Sequence, residues 1–274
     1  MVLSNTLFDI FSCLAAILYL GSAGLVASNI LYKKAFENLR SFVLISASAS
    51  IIVHALLILH GYSLGNMLAH DFFNMLSLVF FVISVFFLIS TLNKPVEVLA
   101  VIVFPFSAIA VLLNIGNAFP AEPSTVLSSA LQVHIILSVL SYSLLTIAAF
   151  QAIILSIQEK QLHDRQPGHF INALPPLQLM ENLLFQTITV GVFLLTFALG
   201  SGFIFLDDIF AQHLVHKTVL SILAWLVFST LLWGRFYIGW RGQTAIKWTY
   251  GGYLALMLAY FGSKFVLQLV LGLN

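Results

Sequence analysis

Residues 70–92 read HDFFNMLSLVFFVISVFFLISTL, and past Asp71 the stretch carries no charged side chain. A helix of about 20 residues crosses the roughly 30 Å hydrocarbon core of a bilayer, and this run is long enough to do so. A membrane strand is shorter and alternates polar with apolar residues, which this run does not. The same reading extends in both directions. Apolar segments recur at 7–31, 41–61, 96–115, 130–156, 182–206, 214–236 and 247–271, which with 70–92 makes eight. Composition agrees: 61% of the 274 residues are hydrophobic and 8% charged, with a mean hydropathy of +1.05, far from soluble usage. The sequence predicts an all-α, polytopic integral membrane protein, an eight-transmembrane-helix bundle forming a single membrane domain over residues 1–274.

Charge orients the bundle. Lys33, Lys34 and Arg40 fall in the first link, Lys94 in the third, Lys160 and Arg165 in the fifth, and Arg235, Arg241 and Lys247 in or beside the seventh, so nine of the eleven basic residues sit in odd links. The even links and their edges carry Asp71, Glu122, Asp207 and Asp208, with Lys217 at one edge. Cytoplasmic loops are enriched in Lys and Arg, so the N-terminus and C-terminus are both expected outside. Trp233, Trp240 and Trp248 would then mark the inner boundary. No basic residue precedes Lys33, so the N-terminal run reads as a first span rather than a cleavable signal. The single cysteine, Cys13, excludes a disulfide framework, a cysteine metal site and a C-x-x-C-H haem attachment. A net charge of +1 gives no case for nucleic acid; the lipid bilayer is the first partner.

On this topology the histidines are uneven. His60, His70, His134, His213 and His216 lie at or beyond the outer boundary and His54 about two-thirds of the way out. Only His163 and His169 fall inside, in the link QEKQLHDRQPGHFINALPPLQ (158–178), which reads as a solvated connector. Neutral imidazole is a common ligand of metals and of haem iron. In LQVHIILSVLSYSLLTIAAFQA (131–152), Ser138, Ser141, Ala148 and Ala152 fall within about 40° of His134 on a helix. Such a stripe either seats a flat ligand beside a hydroxyl-supported imidazole or forms a plain helix seam with His134 as an interfacial anchor. In SASASIIVHALLILHGY (46–62), Ala47 and Ser50 share a face with His54, which is either a hydrogen-bonded core residue or a functional one; His60 and His70 are expected near water. HLVHKTVLSILAWLVF (213–228) opens with His213, His216 and Lys217 just after Asp207 and Asp208, which could cap the incoming helix. His216 is expected at the depth of His134. In YGGYLALMLAYFGSKF (250–265), Gly251, Ala255, Ala259 and Ser263 form a small-residue stripe expected to pack on the seventh span, with Lys264 beside it.

The stretches HIILSVLSYSLLTIAAF (134–150), LPPLQLMENLLFQTITVGVFLLTFALGSG (174–202) and HKTVLSILAWLVFSTLLWGRFYIGWRGQTAIKWTYGGYLALMLAYFG (216–262) resemble the cytochrome c assembly family of haem-handling membrane proteins, the CcsA/CcmC/CcmF type. The WRG and YFG of the last stretch most resemble the family's eight-span HemX-like/YpjD inner membrane subgroup. The resemblance implies a bacterial inner membrane location, haem b as cofactor, and a role in cytochrome c biogenesis or haem trafficking alongside other cytochrome c biogenesis or membrane proteins. In haem-handling members a histidine ahead of a small-and-SY segment is an external haem ligand, and His134 ahead of Ser141 and Tyr142 resembles it. The family's tryptophan-rich loop is replaced here by FAQHLVH (210–216), and SKFVLQLVLGLN (263–274) lacks the family's second external histidine. His216 then takes the place of the second haem-iron ligand, with His54 and Lys264 as further cofactor contacts, Lys264 to a propionate. The chemistry implied is ligation, the redox or attachment step belonging to the cofactor or to partners. Two other classes fit the same residues: a non-catalytic accessory subunit of another membrane protein, and a proton-coupled transporter using His54 and Lys264.

Overall fold

The computed structural model describes residues 5–32, 39–63, 72–115, 128–164, 174–205 and 215–262. Among them every regular element is helical: α1 (Asn5–Tyr32), α2 (Leu39–Ser63), α3 (Phe72–Asn93), α4 (Ala100–Leu112), α5 (Ser129–His163), α6 (Leu177–Phe205), α7 (Val215–Trp233) and α8 (Gly242–Met257). A 3-10 turn, Glu97–Leu99, leads into α4, and π turns at Gly234–Ile238 and Leu258–Gly262 extend α7 and α8. Helices are what such a sequence must form in lipid, where no water can satisfy a bare backbone. The hydroxyl side chains obey the same constraint by bonding back one turn: Ser84 to the Phe80 carbonyl, Ser107 to Val103, Thr146 to Tyr142 and Thr249 to Ala245.

Among the described residues six helices are long and apolar enough to cross a membrane, within Thr6–Leu31, Arg40–Gly61, Phe72–Asn93, Ser129–His163, Leu177–Phe205 and Val215–Ile238. The chain is a polytopic membrane protein. The fourth and eighth helices are shorter, 13 residues in α4 and 16 in α8, or about 20 and 24 Å of regular helix. Pro105 lies inside α4 and removes one helical hydrogen bond there. Among the boundaries that differ from the sequence reading, two bear on the fifth link. The 35-residue α5 runs on to His163 instead of ending near 156, and α6 begins at Leu177 rather than 182. Residues 158–163 are therefore helix, with Gln158 buried, and not a solvated connector.

The chain divides into two compact units, residues 1–126 with 165–175, and 127–164 with 176–274. In the first, α1 packs on α2 and α4, and α3 on α2 and α4. Its centre is aromatic: Phe104 lies 5.3 Å from Tyr19 and 4.9 Å from Phe87, centroid to centroid, and all three are fully buried. One end is tied by Arg40, whose guanidinium donates to the carbonyls of Thr91 (2.8 Å) and Leu92 (3.0 Å) at the end of α3 and pairs with Glu97 at 3.4 Å. A cation on the last carbonyls of a helix complements its dipole.

In the second unit α5 packs on α6 and α8, and α7 on α6 and α8. Two glycines set the approach of the helices. A Cβ on Gly191 would lie 2.8 Å from the Leu145 side chain, and one on Gly252 would lie 2.8 Å from the ring of Phe228. The small-residue face of α8 thus differs from the expected stripe at its glycine. Ala255 and Ala259 are buried as expected, but Gly251 is exposed with nothing near it, and Gly252 makes the contact with α7. Ser263 and Lys264 lie outside the described residues.

Candidate functional site

His134 sits in the second turn of α5, half-buried against the last two turns of α6. Ser128 caps the helix start, its hydroxyl accepting from the Leu131 amide. The imidazole Nδ1 lies 3.0 Å from the Ala198 carbonyl oxygen and 3.0 Å from Ser201 Oγ, while the Ser201 hydroxyl itself donates to Ala198 O at 2.8 Å. A carbonyl oxygen only accepts, so Nδ1 carries the proton and Nε2 presents its lone pair. A metal-binding histidine is held in this way, its second nitrogen donating to a backbone carbonyl that fixes tautomer and ring orientation. The supporting hydroxyl comes from α6 and not from the stripe below His134. Of that stripe, Ser141 donates to the Gly191 carbonyl at 2.9 Å and, with Ala148 and Ala152, is fully buried in a helix seam. The neighbouring Tyr142 packs on Tyr253 and Tyr260 at centroid distances of 6.2 and 6.3 Å. The SY pair therefore ties α5 to α6 and α8.

His216 lies in the first turn of α7, exposed, at the end of the unit where α5 begins and α6 finishes. Both histidines belong to one unit, and no hydrogen bond or ring contact joins them among the described residues. His213, Asp207, Asp208, His70 and His169 lie outside the described residues.

His54 belongs to the first unit and is wholly buried. Its Nδ1 lies 3.2 Å from the Tyr19 hydroxyl and its Nε2 2.9 Å from Ser77 Oγ. Both ring nitrogens are taken, by groups on α1 and α3. Tyr19 also hydrogen-bonds Ser84, whose hydroxyl is 2.9 Å from Ser107 on α4, so one polar chain links all four helices. His60, expected near water, is buried instead, with Phe8 at 5.8 Å.

A charged cluster that the sequence reading missed closes the opposite end of the second unit. Buried Glu181, in the second turn of α6, accepts from Arg241 Nε and Nη2, each at 3.0 Å, and from the Gly242 amide at 3.0 Å. Arg235 approaches the same carboxylate at 3.6 Å, donates to Asn182 Oδ1 and the Trp240 carbonyl, and lies 4.5 Å over the Phe185 ring. The Trp240 ring covers Gly234 and lies 5.2 Å from Trp248. Gly239 (φ 81°) and Gly242 (φ 53°) make the turn that brings Arg241 back. The WRG motif is thus a clasp from the α7–α8 turn onto α6. A lone glutamate at the head of an apolar run was its one visible signal.

This arrangement lies within a recognisable class. The profile of the cytochrome C assembly protein family matches residues 45–271, and the chain belongs to that family. Among its relatives, the inner membrane protein YpjD of Escherichia coli (strain K12) is 34% identical over 268 residues, 95% of this chain and 99% of the relative. An uncharacterized 28.8 kDa protein of Azospirillum brasilense is 31% identical over 144 residues, 52% of this chain and 53% of its own length. The cytochrome c biogenesis protein CcsA of Guillardia theta is 25% identical over 198 residues, 66% of this chain and 64% of its own length. No solved structure matches. With six helices of crossing length and this relationship, the chain is a multi-pass protein of the bacterial inner membrane.

Proposed function

We propose that this protein binds haem b at the end of the second unit where α5 begins, with His134 as an axial ligand of the iron, in cytochrome c biogenesis or haem trafficking. The observation that supports this most directly is the His134 tautomer: a backbone carbonyl holds the Nδ1 proton and leaves Nε2 as a pre-oriented donor. His216, at the same end, is the candidate for the second axial position, and Lys264 remains a candidate for a propionate. His54, with both nitrogens engaged, serves this reading as a core residue. When bound, haem supplies the redox chemistry; the chain supplies ligation, orientation and exclusion of water. The proposal places this end outside, in a single eight-span membrane domain with both termini outside.

The test is an absorption spectrum and pyridine haemochrome assay of detergent-purified protein before and after haemin addition. A Soret band that weakens in His134→Gly and His216→Gly and returns with imidazole is expected. A wild-type protein with no Soret band after haemin titration removes the proposal.

A further inference from the structure

The face that α7 turns inward carries a cation that the haem reading does not yet use. Ala224, Phe228 and Leu231 are its buried residues, and at 100° per residue Lys217 falls within about 40° of all three. His216, one residue earlier, is about 100° away and exposed, so of this pair it is Lys217 that shares the packed face. Among the described residues Arg40, Arg235 and Arg241 each have a carboxylate partner, half-buried Lys94 is also engaged, and Lys160 and Lys247 are exposed. Lys217 is half-buried and makes no hydrogen bond or ion pair there. A part-buried ammonium without a counter-charge is unfavourable unless something anionic meets it.

The helix register sets its level along the bundle relative to His134. Trp225 Nε1 donates to Thr196 Oγ1 at 2.9 Å and so aligns α7 with α6. From that bond, Lys217 lies about 12 Å along α7, and the Ala198–Ser201 contact of His134 about 5 Å along α6. Both run toward the ends joined by residues 206–214, so the Lys217 backbone lies roughly 7 Å beyond the imidazole along the bundle. That separation suits a ligand whose metal and acid groups are at different points of one flat molecule.

We propose that Lys217 is the anion-pairing residue of this site and receives a carboxylate of the porphyrin whose iron His134 holds; this rests on the haem reading above.

The experiment titrates full-length protein in detergent with three probes: haemin, metal-free protoporphyrin IX, and the dimethyl ester of that porphyrin, followed by tryptophan fluorescence quenching. Metal-free protoporphyrin keeps both carboxylates and cannot bond to His134, so it reads Lys217 separately from the iron ligand. Lys217→Met is expected to weaken haemin and metal-free protoporphyrin by about tenfold and to leave the ester unchanged, while Lys217→Arg retains most of the affinity. Equal binding of the free acids by wild type and Lys217→Met overturns the assignment, as does an equal loss for the ester. Lys217-dependent protoporphyrin binding without a His134-dependent Soret band would instead keep Lys217 and discard the iron ligand. If none of the three probes binds, both are overturned.

Discussion

Gly251 and Gly252 are adjacent in sequence and opposite in surroundings, which makes them a sharp test of the α7–α8 seam. A methyl group at Gly251 meets nothing within 4 Å, whereas one at Gly252 lies 2.8 to 2.9 Å from three carbons of the Phe228 ring. Phe228 is fully buried, so its ring can yield only by displacing or repacking against its neighbours. Alanine in place of glycine inside a helix favours the helix by up to about 1 kcal/mol, and both variants share this gain. Overpacking a filled interior costs about 1–3 kcal/mol, and Gly252→Ala alone bears it. The expected net effect is a gain of up to about 1 kcal/mol for Gly251→Ala and a loss of about 0–2 kcal/mol for Gly252→Ala, a gap between them of about 1–3 kcal/mol. Thermal unfolding in one detergent, followed by tryptophan fluorescence, ranks the two against wild type. If Gly251→Ala melts below Gly252→Ala, the seam runs through the other glycine and the packing argument fails.

Other outcomes follow from single contacts. Glu181→Gln leaves two arginines facing a neutral amide and should destabilise by about 2–3 kcal/mol, read by the same melts; an unchanged midpoint would show that the clasp contributes nothing. Tyr19→Phe strands His54 Nδ1 and should lose about 1–3 kcal/mol, while Tyr19→Phe combined with His54→Leu should lose less than the sum of the single changes; strict additivity would deny the coupling. A phosphatase fused after Asn274 should be active in the periplasm and a fluorophore fused there should be dark; the opposite pattern reverses every side assigned above.

The helical membrane class was legible because an apolar run the length of a bilayer has few other uses. Helix ends were less so. Gln158 and Glu159 look like solvent-facing residues, yet Glu159 accepts from Gln243 at 2.7 Å, a partner 84 residues away that no local pattern discloses. His134 was visible as a candidate, but the groups that settle its tautomer lie 64 and 67 residues downstream. The spacing of Lys217, Ala224 and Phe228 was readable on α7, although periodicity cannot say which of several apolar faces is the packed one. The same ambiguity assigned the α8 stripe to Gly251 when the neighbouring glycine carries it. Arg235 and Arg241 were counted as cytoplasmic charge, and that count gave no hint that a buried carboxylate binds both.

The Glu181 clasp also has an order in time. Glu181 leaves the ribosome 60 residues ahead of Arg241, a delay of roughly 3–12 seconds at ordinary rates of synthesis. For that interval the head of α6 carries a bare negative charge, which is stable only in water at the membrane border. Until the turn after α7 has been made, α6 therefore lacks the contacts that hold its first turns in the folded unit. The turn between α7 and α8 is then what fastens α6, and a chain cut short before Arg241 would leave the Glu181 carboxylate without its closest cation.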